Sequence, residues 1–249
     1  MNTRRGIQIM RKFALALALS SSAMLLAADT AAERMSDATK VFDEIMSTPD
    51  KGIPQDLLEK AHCIVIVPGM KQAAFVVGGK FGKGFVDCRQ TGGGWGAPAA
   101  VRVEGGSFGF QIGGSSTDVV MLVMNERGMR RLLEDKFTLG GEATVAAGPV
   151  GRSTAANTDA QMSAEILSWS RSKGLFAGVA LQGATLRPDE DTNKELYGSK
   201  LTNKEILTGD VKPPAAAHSL TAALSRYSFR ESKDTPIENR ATDADRKKK

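Results

Sequence analysis

In this 249-residue chain the side chains best placed for chemistry are cations in glycine- or serine-rich surroundings. Lys80 and Lys83 lie in "VVGGKFGKGF" (76–85), with Lys71 just before it. Arg152 follows a Gly-Pro-Val-Gly turn, and Arg171 and Lys173 alternate in "SWSRSKG" (168–174). Cations in such settings meet phosphate oxygens, so nucleotide binding is the first chemistry to weigh. A P-loop needs G-x-x-x-x-G-K followed by Ser or Thr. Counted from Gly79-Lys80, the first glycine falls on Ala74 and the hydroxyl on Phe81; counted from Gly82-Lys83, they fall on Val77 and Gly84. The order Gly79, Gly82, Gly84 also reverses G-x-G-x-x-G. What remains for these cations is a phosphate met by side-chain charge, or an ordinary solvated face.

Other chemistries fail on spacing. His62 adjoins Cys63, yet neighbours on a strand point to opposite faces and cannot form a nucleophile–base pair. His218, the other histidine, lies far along the chain. "DEDTN" alternates Asp189, Asp191 and Asn193 like the start of a calcium loop. Its sixth position is Lys194 rather than Gly and its twelfth is Lys200 rather than Glu, so a solvated helix start is the better account. "SWSRSKG" has hydroxyls but no G-x-S-x-G elbow and no acid–histidine pair. No Cys/His spacing suits zinc. The sequence therefore offers no catalytic residue, no metal site and no cofactor motif.

The elements that must position the cations can be read from periodicity. Met35–Ser47 has apolar residues at three- and four-residue intervals, an amphipathic helix whose apolar face docks on a core or lies on a membrane. Pro54 opens a shorter helix. From Cys63 the texture is sheet: "CIVIVP", "AAFVVGG", "GFVDCR", "APAAVRV", "SFGFQIGG" and "TDVVMLVM", with loops at "QTGGGW" and "EGGS". The spacing leaves no room for crossover helices, so neighbours pair antiparallel. Asn125 caps a helix over "NERGMRRLLED"; "SAEILSWSRSKGLFAGVALQGATLRP" reads as two strands; "DEDTNKELYG" starts another short helix. In "VVGGKFGKGF" alternation places Val77, Phe81, Lys83 and Phe85 on one face. Gly78, Lys80, Gly82, Gly84 and Val86 take the other, where an element or a ligand can approach the backbone closely.

Charge and compartment follow from the ends. Arg4, Arg5, Arg11 and Lys12 precede an apolar run from Phe13 to Leu26 and small residues, the layout of a secretory signal peptide over 1–28, with an uncleaved anchor as the alternative. "LLAAD" places Asp29 where a lipoprotein would carry its acylated cysteine, so the expectation is a periplasmic or secreted chain that is not a lipoprotein. The full chain carries 33 basic and 28 acidic residues. The signal contains four of the basic ones, and the near-neutral remainder lacks the field that nucleic-acid binding needs. Cys63 and Cys88 sit in β-rich segments and form either a disulfide, which an oxidising compartment permits, or two buried thiols.

"GGKFGKG", "GGGWGAPAAVRVEGGSFGFQIGGSSTDVVMLVMN", "AAGPVGR" and "WSRSKGLFAGVALQGATLRPDEDTNKELYG", in that order, closely resemble the SYLF domain family. That resemblance implies a lipid-binding module, with phosphoinositides as ligands in eukaryotic members and a link to actin in some. An exported chain meets no actin, so the implied partner is a phospholipid or membrane surface; the sequence names no protein partner. Lys71, Lys80, Lys83, Arg152, Arg171 and Lys173 are the headgroup candidates. The expected fold is α+β, a mainly antiparallel sheet or partly closed barrel with flanking short helices. The domain is expected over 29–198, with helices in 34–61 and a sheet-rich core over 62–198. A C-terminal extension, 199–249, is weakly helical and then a disordered basic tail. The rival is a structural or partner-binding envelope protein with no lipid ligand.

Overall fold

A computed structural model describes residues 29–48, 52–75, 77–108, 113–149, 163–172, 175–178 and 181–228. The expected signal peptide, Arg152, Lys173 and the basic tail lie outside these residues. The elements all belong to one compact unit, Ala31–Lys249.

Apolar alternation builds nine strands: β1 (Cys63–Phe75), β2 (Val77–Cys88), β3 (Ala99–Phe108), β4 (Gly113–Val123), β5 (Phe137–Thr138), β6 (Val145–Ala147), β7 (Ile166–Ser172), β8 (Leu175–Gly178) and β9 (Thr185–Pro188). They form one sheet in the order β5-β9-β3-β2-β1-β4-β7-β6, with β8 also on β7. All pairings are antiparallel except β6 on β7. Six helices accompany it among the described residues: α1 (Ala31–Ser47), α2 (Gln55–Lys60), α3 (Glu126–Leu132), α4 (Glu190–Tyr197), α5 (Asn203–Thr208) and α6 (His218–Tyr227). The class is α+β, and the sheet is open and curled, a half-barrel.

Both faces of the sheet are buried. One parity sends Ile64, Ile66, Phe85, Val120, Leu122 and Trp169 against the apolar stripe of α1, where Met35, Phe42 and Ile45 are fully covered, and against Leu220 and Leu224 of α6. The other parity sends Cys63, Val65, Val86, Val101, Val119 and Met121 into a second layer. Phe137 and Leu186 reach that layer from one end of the strand order and Ile166 from the other, which is the geometry of a curled sheet. Each large side chain so buried contributes about 1.5–3 kcal/mol. Ile206 and Leu207 of α5 join the second layer and α6 the first, so residues 203–227 pack into both.

Local signals explain the element ends. Asn125 accepts from the Gly128 amide at the start of α3, Asp189 from Thr192 at α4, and Thr202 with Glu205 forms a capping box at α5. Three readings need correction. β1 does not stop at Pro68: a bulge at Pro68–Gly69, with Gly69 at φ 56°, lets the strand continue past the missing amide. "EGGS" is not a turn, because Gly105 and Gly106 pair with Lys80 and Gly79 inside β3. The stretch from Ile166 to Pro188 makes three strands rather than two.

Cys63 and Cys88 are register partners on β1 and β2 and form a buried disulfide. Beside it, Arg89 donates to the carbonyls of Leu58, Ala61, Gly93 and Ser228 and lies over the Trp95 ring, whose Nε1 donates to Ser228 Oγ. Asp87 is fully buried there. One carboxylate oxygen accepts from the Gly96 amide at 3.0 Å, the other accepts no hydrogen bond among the described residues, and burial pushes its pKa well above the usual carboxylate range.

Candidate functional site

Opposed residues on neighbouring strands share a face. The registers Lys83↔Arg102 and Arg102↔Arg187 therefore set three cations in a row across β2, β3 and β9. Like charges directly opposed repel, and two carboxylates interleave to offset this. Glu104 lies 3.1 Å from Arg102 Nε and 3.7 Å from Arg187 Nε, and Asp189 Oδ2 lies 2.8 Å from Lys83 Nζ. Asp189 is held in place by its backbone amide on Ala100 O and by its capping of α4. Burial opposes its ionisation, but the Lys83 ammonium and Thr192 outweigh burial and hold its pKa below the ordinary value.

Beside this row opens a cavity of about 280 Å³ lined by Arg102, Asp135, Arg187, Pro188, Asp189, Glu190 and Asp191. Its lining joins the arginines of β3 and β9 to four carboxylates, Asp135 just before β5 and Asp189, Glu190 and Asp191 at the start of α4. Asp135, Glu190 and Asp191 are exposed. Among the described residues no group of three His, Cys, Asp or Glu is placed to hold a metal ion.

The headgroup candidates do not converge. Lys83 is tied to Asp189. Arg171 contacts Asp118 at 2.6 Å and Glu44 of α1 and covers the Phe176 ring, so it joins a helix to the sheet. Lys71 is exposed, directly opposite Phe81, and Lys80 is half-buried on the other face, opposite Gln72. Phe81 is 48% and Leu175 62% exposed. Strand direction places the half of β2 that carries Phe81 and the start of β8 at Leu175 at the same end of the sheet. Among the described residues no helix is long and apolar enough to cross a membrane.

Arg102 and Arg187 were missed by sequence reasoning. Each stands between apolar strand residues, in "AVRV" and "TLRP", which is the only local signal; their meeting depends on a register between segments distant in the chain.

The family described as Ysc84, Las17-binding protein actin regulator, matches residues 104–227. SH3 domain-containing YSC84-like protein 1 of Rattus norvegicus is 35% identical over 199 residues, 79% of this chain and 58% of the relative, with the same figures for Homo sapiens. LAS seventeen-binding protein 3 of Saccharomyces cerevisiae is 36% identical over 183 residues, 72% of this chain and 40% of the relative. The chain thus spans about half the length of these curated relatives. With the motif order of the sheet and its helices, these matches show that the chain carries a domain of the Ysc84/SYLF family.

Proposed function

We propose that this chain is a non-enzymatic module that binds phospholipid at a membrane surface, through the end of the sheet that carries Phe81 and Leu175. The observation that carries this reading is their exposure at one end of a sheet otherwise buried on both faces, with Lys71 directly opposite Phe81 and Lys80 next to it in β2 on the other face. Apolar side chains entering the headgroup region bring lysines to the phosphates, each worth about 1 kcal/mol at an anionic surface. An exported location after removal of residues 1–28 belongs to the same proposal; the buried disulfide supports it, since such bonds persist in oxidising compartments.

The test is cosedimentation with vesicles containing anionic phospholipid. Retention should weaken with salt. Lys71→Ala with Lys80→Ala should lower affinity roughly thirty-fold, from about 2 kcal/mol, and Phe81→Ala with Leu175→Ala should also release the protein. No retention on vesicles of any headgroup defeats the proposal. A second reading draws on relatives named for binding Las17: the domain serves a protein partner, which for an exported chain is an envelope protein. One stoichiometric partner recovered without co-purifying lipid favours it.

A further inference from the structure

We propose that the cavity between β3–β9 and the start of α4 binds a small zwitterion, a phosphate ester bearing a primary ammonium group. Arg102 and Arg187 face each other across two strands and share one carboxylate, Glu104, which approaches the Nε of each. The Nε of each guanidinium is buried and makes no hydrogen bond among the described residues, so Glu104 leaves both arginines short of acceptors. Two forks side by side suit a tetrahedral oxyanion, whose several oxygens can take both. In the same lining Asp135, Glu190 and Asp191 have no hydrogen-bond or ion-pair partner among the described residues. They would repel a bare anion and attract an ammonium. The lining therefore orients the ligand, oxyanion toward the arginines and ammonium toward the carboxylates. A volume of about 280 Å³ holds a headgroup-sized molecule, and a lining that is charged apart from Pro188 has no place for an acyl chain.

The same chemistry occurs in a soluble phosphoethanolamine and in the headgroup of an aminophospholipid. Calorimetry on the full chain uses phosphoethanolamine, inorganic phosphate and ethanolamine separately, and flotation uses phosphatidylcholine vesicles with and without phosphatidylethanolamine. Phosphoethanolamine is expected to bind at least ten-fold more tightly than either fragment. Arg187→Ala should lose that affinity, and Glu190→Gln with Asp191→Asn should remove the advantage over phosphate, with melting curves confirming folded variants. Binding of the soluble compound without vesicle preference supports the inference with a free ligand; flotation that requires phosphatidylethanolamine and is lost in Arg187→Ala supports it with a lipid. Inorganic phosphate binding as tightly as phosphoethanolamine overturns it, as does unchanged binding by these variants or no binding in either format. Phe81 and Leu175 are untouched throughout, so failure here leaves the membrane-surface proposal standing, and failure of that proposal leaves the calorimetry interpretable.

Discussion

Desolvation acts most strongly on Asp87, and the consequence is a pH dependence with a definite sign. Its folded pKa is raised by burial, while in the unfolded chain it titrates near 4. Below about pH 4 it is protonated in both states and imposes no ionisation penalty. As pH rises toward the folded value the unfolded chain ionises first, and stability falls by up to about 1.4 kcal/mol per pH unit before levelling off. Asp87→Asn should therefore be more stable than the parent at neutral pH and lose this slope, measured by urea unfolding from pH 4 to 8. Identical profiles for the two proteins would exclude the mechanism. Asp189 runs the other way: its lowered pKa gives stability that is present above the ordinary carboxylate range and lost as pH falls through the folded value. Single residues were legible where their signal was local. Asn125 caps the helix that its position announces, and "DEDTN" opens a helix as its spacing indicates, with Asp189 as the cap. The partners of Lys83 and Arg171 were not legible, because Asp189, Asp118 and Glu44 reach them only through tertiary packing.

Among the elements, the contact between β1 and β2 explains most of "VVGGKFGKGF". A Cβ on Gly84 would lie 2.0 Å from Ile66 O and 2.8 Å from Val67 Cα, and one on Gly82 would meet Val67 and Met70. The glycines make room for the β1 bulge, so the close approach that alternation anticipates is made by a strand. Gly84→Ala meets backbone that cannot move aside and should cost about 3 kcal/mol, seen as a shifted denaturant midpoint. Gly92→Ala, with nothing within 4 Å, should stay within about 0.5 kcal/mol. If both variants unfold at the parental midpoint, the bulge does not press on β2 as described. Strand periodicity and helix caps were readable because they are short-range. "EGGS" was not, since glycine pairs normally mark turns while here Gly105 lies opposite Lys80 with Ala184 3.2 Å from its would-be Cβ.

For the molecule as a whole, the sheet is sandwiched between two apolar layers, and its central strands β1 and β2 are cross-linked at one end. The disulfide spans 25 residues of sequence, and a loop of that size is worth about 3 kcal/mol through the unfolded state. Cys63→Ala with Cys88→Ala should lower unfolding free energy by about that amount, and a reductant should do the same to the parent but not to the variant; equal responses in both would contradict it. The α+β class and the antiparallel sheet were evident from composition and punctuation, and a partly closed barrel was one of the two expected forms; what the sequence left open was the choice between them, because the curl arises from Phe137, Leu186 and Ile166 converging on one layer. The Arg89 knot adds a direction to this body. It fixes Ser228 at the end of β2 opposite the β1–β2 hairpin, and twelve strand residues separate the two ends, roughly 35 Å. A fluorophore or fusion partner attached just after Ser228 thus starts about eight strand residues, roughly 26 Å, from Phe81. It would report docking at the far end by distance-dependent quenching without standing in the way.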